Sequence, residues 1–433
     1  MPLDRAKLHA SRYLDSLGTA PVGVTEDLAT LRSRLAKPLS DAGLPAEQVI
    51  DELVADSQGG IVGTAGGRFF AWVIGGATPA ALAADWLTSA WDQNAGVYAA
   101  APAAAIVEEV AGGWLKELLN IPSESSFAFV TGCQMAHVTC LAAARHAVLA
   151  AKGWDVEENG LNGAPPIRVV ASPEYHVTIE KALRLLGMGR RSDSEMRFDD
   201  RPTILCLRAG ELNTGAFDNF AELIPLAKKH NAWVHIDGAF GLWAAASSKY
   251  CHLLTGADQA DSWATDGHKW LNVPYDSGYA FVRHPDAHRA SMTMKTSYLI
   301  YDGSARDQID WNPEFSRRAR GFTTYAAIRE LGRTGIARLV ERCCEHARTL
   351  VNGIGALDGA EVICEPMLNQ GLVRFGDDDA RTDEVIARAV ASGECFVGGV
   401  TFRGKRCMRV SVSNWRTTHD DVQRVIEAFR KIL

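Results

Sequence analysis

The sequence predicts an α/β protein: a mostly parallel sheet covered by helices on both faces, followed by a smaller α+β domain. Three observations carry this expectation. Short apolar runs of strand length, at 127–130, 168–171, 204–208, 232–236, 262–265 and 279–283, alternate with helical segments, the pattern of strands buried on both faces. Segments 80–92, 102–119 and 133–151 have helical length and an Ala-rich texture. The tail reads strand (372–375), helix (381–391), two strands (394–402 and 408–413) and a closing helix (417–432), with Gly399 and Gly404 flanking the strand-to-strand turn. That order predicts a small antiparallel sheet.

Residues 1–60 alternate short helical patterns with breaks at Pro21, Pro38 and Pro45. No piece of them could bury a core alone, so a helical extension that packs onto another part is expected. A large domain then spans 61–322, and a long helix from about 323 to 354 opens a small domain, 323–433. A chain of 433 residues suits two or three domains.

Charge and composition exclude several classes. Forty-five basic against 52 acidic residues leave a net charge of −7, which argues against a general nucleic-acid surface. No run of about 18 apolar residues could span a bilayer; the Ala-rich stretch 75–105 is interrupted by Asp85, Asp92, Gln93 and Asn94. The first residues, MPLDRAKLHASRYLDSLG, lack the apolar stretch of a signal peptide. Nine cysteines, an odd number with no C-x-x-C pair, fit reduced thiols. A cytoplasmic protein without a metal site is expected.

Two segments carry chemistry. In WVHIDGAFGLW (233–243) an apolar strand ends in Asp237. Ligands of open α/β sheets bind beyond the carboxyl ends of strands, which puts Asp237 at a site mouth; an Asp that merely caps the next turn fits the same pattern. In DSWATDGHKWLN (261–272) a second strand leads into a loop presenting His268 and Lys269. A carboxylate at one strand end and a lysine 32 residues later at the next is what a pyridoxal 5′-phosphate (PLP) site needs. The lysine holds the cofactor as an internal Schiff base. The carboxylate keeps the pyridine nitrogen protonated, so that the ring accepts electrons when a bond to the substrate Cα breaks. Ala239 shares the face of Asp237 in an extended segment, and its small side chain lets a ring lie flat.

Six motifs stand in order: FFAWVIGG (69–76), YAAAPAAAIVEEV (98–110), FVTGCQMAHVTCLAAAR (129–145), SPEYHVTIEKA (172–182), HIDGAFG (235–241) and GHKW (267–270). From about residue 60 to its end the chain resembles the group II PLP-dependent decarboxylases, relatives of the aromatic amino acid and glutamate decarboxylases within the fold type I, aspartate aminotransferase superfamily. The resemblance implies a seven-stranded, mostly parallel sheet in the large domain and a homodimer with its site at the subunit interface. It implies that Gly132, Cys133 and Gln134 cradle the PLP phosphate, at a turn where the N–H groups of a helix N-terminus favour an anion. His176 matches the histidine that stacks on the free face of the ring. Asp266 and His268 are implied to reach the phosphate region, Asp266 standing where relatives often carry Asn.

On the substrate side, Trp72 and Gly75 match positions lining the family pocket, and Tyr98 matches a segment that reaches the neighbouring subunit's site. Arg409, in MRVSVS, matches a strand where fold type I enzymes place an arginine for the substrate α-carboxylate; a solvated arginine on an edge strand is the alternative. The implied reaction is decarboxylation of an L-amino acid, aromatic or bulky and apolar, to the amine. One departure bears on it. Aligning 311–321 with the family puts Gln308 where aromatic amino acid decarboxylases carry a proton-returning loop tyrosine, with Tyr298 and Tyr301 as substitutes. That departure keeps open a PLP-dependent C–C lyase, aldolase or aldehyde synthase. A non-catalytic PLP-fold binding protein is a third reading, against which Lys269, Asp237 and His176 stand together.

Overall fold

A computed structural model describes residues 1–172, 174–190, 192–195, 197–294 and 305–433. The chain forms two units, one of Ala77–Cys344 and one of Met1–Gly76 together with Glu345–Leu433.

In the first unit each expected apolar run is a strand: β1 (Ser126–Val130), β2 (Arg168–Ala171), β3 (Thr203–Arg208), β4 (Trp233–Asp237), β5 (Ser262–Asp266) and β6 (Gly278–Val282). Among the described residues they form one sheet in the order β1-β6-β5-β4-β3-β2. Strands β2 to β5 are parallel, whereas β6 runs antiparallel to β5 and β1. Every strand residue except Arg208 is buried, which is why these strands read as unbroken apolar runs instead of alternating ones. The family resemblance implied seven strands; the described residues hold six. At the free edge of β2, Asp193 makes a single parallel bridge with Val170. The flanking sequence, RRSDSEMRFDD, is too charged and polar to continue a buried strand there.

The helix Cys133–Ala150 lies against this sheet. Its buried residues include Cys133, Ala136, His137, Cys140, Ala143 and Ala144, a stripe of helical period. Small side chains let Ala136, Cys140, Ala143 and Ala144 join one core cluster with Ala128, Val130, Ala264, Ala280 and Val282 from β1, β5 and β6. A buried ion pair braces the same layer. Arg317 donates to both carboxylate oxygens of Glu108, at 2.6 and 3.0 Å, and also to the carbonyls of Phe129 (2.6 Å) and Ala95 (2.9 Å). Both side chains are almost wholly enclosed. A helix, Gly321–Gly355, interrupted at Gly332 (φ 61°, ψ 173°), carries the chain out of this unit.

The second unit contains β7 (Ala360–Val362), β8 (Gln370–Phe375), β9 (Gly398–Phe402) and β10 (Lys405–Ser411), antiparallel in the order β7-β8-β10-β9. Arg409 therefore sits on an interior strand, opposite Leu372 and Gly398, and the edge-strand alternative is corrected. The helix His419–Ile432 buries Val422, Val425, Ile426, Phe429 and Ile432 and is opened by a capping box of Thr418 and Asp421. The helices Pro2–Ser16, Leu28–Leu35 and Ala46–Ser57 bury none of their own residues. The segment after them is anchored well. Arg68 donates to the carbonyls of Glu394 (2.7 Å) and Ala20 (2.8 Å), and Phe70 N–H bonds to Phe396 O at 2.8 Å. Among the described residues, no helix is long and apolar enough to cross a membrane.

Removing one partner of a buried ion pair leaves the other charge uncompensated. Glu108→Ala is expected to lower unfolding free energy by about 3–5 kcal/mol, read by urea denaturation. A loss below about 1 kcal/mol, the value of a surface pair, would show that this bridge does not brace the layer.

Candidate active site

β4 and β5 are adjacent parallel strands, with His235 opposite Ser262 and Asp237 opposite Ala264. Their carboxyl ends emerge side by side, and each ends in a carboxylate, Asp237 and Asp266. One π-helical turn, Gly267–Leu271, follows β5 directly and carries His268 and Lys269. Lys269 Nζ lies 3.0 Å from Asp266 Oδ2. Burial is the largest influence on the Lys269 ammonium and would lower its pKa, but the negative groups around it, Asp266 foremost by charge and hydrogen bond, together outweigh it and the pKa is raised.

Asp266 is a junction. Its Oδ1 accepts the Cys133 N–H at 2.5 Å and lies 3.4 Å from His268 Nε2. Burial depresses the pKa of His268, and its Nδ1 accepts the Ser277 N–H at 3.3 Å. The His268 ring stacks on Tyr275 with centroids 4.3 Å apart.

The helix N-terminus beside Asp266 is walled by backbone. Gly132 is the N-cap; a Cβ there would lie 3.0 Å from His268 Cε1 and 3.4 Å from Asp266 Oδ1. Gly278, at the start of β6, presses on it so closely that a Cβ on Gly278 would lie 2.4 Å from Gly132 Cα. Of the expected phosphate cradle, the Cys133 N–H is committed to Asp266, and Gln134 Nε2 donates to Thr178 O at 3.2 Å. Thr178 belongs to the helix Val177–Leu185, whose N-cap is His176. His176 Nδ1 accepts the Thr178 N–H (3.3 Å) and pairs with its hydroxyl (2.7 Å).

Asp237 Oδ1 accepts the Ala239 N–H at 3.1 Å and faces the Cys133 thiol at 3.9 Å. Its Oδ2 lies 3.6 Å from His137 Nε2. Burial pushes the Cys133 thiol well above its ordinary pKa, so it stays protonated. His137 and its neighbour His235 were not singled out in the sequence. Their signal was there: His235 shares the face of Asp237 by strand period two, and His137 follows Cys133 by one helical turn.

The first unit thus brings together Lys269, Asp237, Gly132, Cys133, Gln134, His176, Ala239, Asp266 and His268 through short contacts and shared elements. Tyr98, also in this unit, donates its backbone N–H to Asp307 Oδ1 at 2.8 Å. Trp72, Gly75 and Arg409 belong to the second unit. There Trp72 is 60% exposed beside Phe69 and Phe396, and both it and Val73 hold left-handed backbone, φ 57° and 77°. Gly75 is buried and Arg409 half-buried. Tyr298 and Tyr301 lie outside the described residues. Gln308 is fully buried in the single turn Gln308–Asp310, and its side-chain amide finds no partner among the described residues. Its neighbour Ile309 is pinned by an N–H bond to Gly96 O. Gln308 is therefore a buried side chain in a short turn of an otherwise irregular stretch.

The model of the pyridoxal-dependent decarboxylase conserved domain matches residues 31–376, about four-fifths of the chain. The chain belongs to this family. It is 25% identical to the aromatic-L-amino-acid decarboxylase of Bacillus atrophaeus over 96% of its own length and 91% of that protein's. It is 24% identical to the 4-hydroxyphenylacetaldehyde synthase of Rhodiola rosea, over 90% and 86%. Among solved structures, Oryza sativa TDC with PLP and tryptamine shares the fold at a TM-score of 0.90 and 23% identity, covering 100% of this chain and 96% of that one. Mouse CSAD does so at 0.89 and 21%, over 100% and 98%. The cofactor of this decarboxylase-family enzyme is PLP, and it is a carboxy-lyase that acts on an amino acid. The residues present fit that cofactor. A lysine emerges beside a buried carboxylate, a second carboxylate ends the adjacent strand, and a glycine N-cap, with no side chain of its own, opens the helix beside them.

Burial holds His137, His235 and His288 neutral, each with its pKa lowered to about 3. An unfolded chain takes up these protons near pH 6.5, whereas the folded one does not until about pH 3. The stability is complete above pH 6.5 and falls as pH drops through that window, by up to roughly 1.4 kcal/mol per pH unit per histidine. Urea unfolding at pH 7.5 and pH 5 checks this; equal midpoints would contradict neutral burial.

Proposed function

We propose that the enzyme decarboxylates an aromatic or bulky, apolar L-amino acid to the amine, as a homodimer. The observation that carries the reading is the pairing of β4 with β5, which sets Asp237 beside the turn bearing Lys269. When bound, PLP supplies an aldehyde for the lysine amine and a ring that accepts the electron pair of the breaking Cα–carboxylate bond. Lys269 anchors it, and Asp266 holds the lysine in place until then. Asp237 holds the proton on the ring nitrogen. Gly132, Cys133 and Gln134 are the phosphate cradle, with His268 and Asp266 beside it, and His176 covers the ring from the substrate side. Likeness to a relative named for aromatic L-amino acids, and to a structure solved with tryptamine, supports the substrate class. Tyr98, in the same unit as the cofactor residues, is the proposed substrate residue. Likeness to an aldehyde synthase favours a second outcome, an aldehyde in place of the amine.

Incubation with aromatic, aliphatic and acidic L-amino acids and with β-hydroxy amino acids, followed by mass spectrometry, separates these readings. Carbon dioxide with the aromatic amine is expected; an aldehyde product, or cleavage of the β-hydroxy substrates, would replace the proposal. Lys269→Ala is expected to abolish turnover and the visible absorbance of the bound cofactor. A borohydride-reducible link to PLP at full occupancy in that variant would move the anchor elsewhere.

For proton return, Tyr298 and Tyr301 are the proposed donors. Replacing the true donor by Phe should lower turnover by ~10²–10⁴-fold with substrate binding nearly intact. Gln308→Ala should leave the chemical step unchanged, because a buried side chain in a pinned turn delivers no proton to a substrate. Single-turnover kinetics reads both, and a collapsed rate in Gln308→Ala with both tyrosine variants unaffected would reverse the assignment.

A further inference from the structure

The carboxylate that ends β4 is backed by a chain of buried polar groups. Trp233, His235 and Asp237 alternate on β4 and share one face. Trp233 Nε1 donates to Ser262 Oγ at 2.9 Å. Ser262 Oγ and His235 Nδ1 are 2.9 Å apart, and His235 Nε2 and His137 Nδ1 are also 2.9 Å apart. His137 Nε2 then faces Asp237 Oδ2. Ser262 and both histidines are completely enclosed.

His137 Nε2 also meets the Cys133 thiol at 3.4 Å, which can donate or accept there, so the polarity of this chain is set by what the carboxylate and the indole require. Burial lowers the pKa of both imidazoles to about 3, so each ring is neutral and carries one donor and one acceptor. An ionised carboxylate only accepts, and an indole N–H only donates. If His137 Nε2 bears the hydrogen, His137 Nδ1 accepts from His235 Nε2, and His235 Nδ1 accepts from the Ser262 hydroxyl. The Ser262 oxygen in turn accepts from Trp233. Every group is then satisfied. The opposite polarity turns an imidazole lone pair onto the carboxylate. At 3.6 Å the last gap exceeds a hydrogen bond, so His137 acts on the carboxylate through its N–H dipole in a setting of low polarity, where such a dipole is poorly screened. Asp237 is about nine-tenths buried, and a buried polar group needs hydrogen-bond partners around it. The Ala239 N–H and the Cys133 thiol serve Oδ1; His137 serves Oδ2.

We propose that His137, aligned by His235 and Ser262, is a positioning residue for Asp237, keeping the carboxylate turned so that it holds the ring nitrogen of PLP. The proposal rests on the reading that Asp237 is the partner of that nitrogen.

The test compares binding of PLP with binding of its 1-deaza analogue, in which carbon replaces the ring nitrogen, to cofactor-free protein by absorbance titration. The preference for PLP over the analogue isolates the nitrogen contact from every other contact. Asp237→Ala is expected to erase that preference. His137→Phe should cut it roughly tenfold, the usual effect of losing a group that orients another, and His137→Gln, which keeps an N–H donor, should restore most of it. A wild-type preference in folded His137→Phe, or equal weakening of both ligands, overturns the role of His137 while leaving Asp237 in place. A preference that survives Asp237→Ala overturns the Asp237 reading itself, and this proposal with it. If His137→Phe does not fold, Ser262→Ala carries the test: it frees the far end of the chain, and a preference reduced about twofold or more supports the proposal, whereas an unchanged one overturns it.

Discussion

The carboxylate of Asp266 is the contact on which the rest of the site depends. It ends β5, accepts the first N–H of the helix Cys133–Ala150, and holds Lys269. A buried charge in a protein interior needs a partner and satisfied lone pairs. Asp266 obtains both by joining the turn that follows β5 to a helix start more than 130 residues earlier in the chain. The same bond fixes where the helix begins relative to the sheet, and thereby sets His137 four residues along, beneath Asp237. With asparagine at this position, the lysine would lose its counter-charge while the helix kept an acceptor, so the carboxylate ties the protonation of the lysine to the placement of the helix.

Much of this was legible in the sequence, for definable reasons. Strands buried on both faces appear as uninterrupted apolar runs, and all six were found with no edge displaced by more than one residue. Asp237 and Lys269 were visible because chemistry at strand ends interrupts such runs with polar residues. What periodicity does not encode is direction and neighbourhood. Nothing local states that β6 runs against β1 and β5, or that Arg409 lies on an interior strand. Residues 66–71 find their partners at 393–411, more than 300 positions away, beyond the reach of any local pattern. The buried histidines were passed over because a lone histidine inside an apolar run resembles core. The burial of Gln308 was equally illegible, because a polar residue set between Asp307 and Asp310 reads as exposed.

The charge economy of the site is uneven. Ionised groups, Lys269 and Asp266 among them, sit at the strand ends with direct partners. One layer deeper, the titratable side chains His137, His235, Cys133 and Cys140 are all held neutral by burial. A neutral second layer transmits orientation without adding a competing field, so the strand-end charges respond to whatever binds among them.

Gly132 and Gly278 touch backbone to backbone, with no room for a methyl group on Gly278. Gly278 cannot gain a side chain without moving β6 away from the helix start, and so away from Asp266, and one on Gly132 would press on His268. The depth of the surface at that point is set by two bare main chains, a dimension that single substitutions cannot retune. Divergence of the reaction from this starting point, whether in substrate size or in product, has to be written in the loops and side chains around an unyielding base.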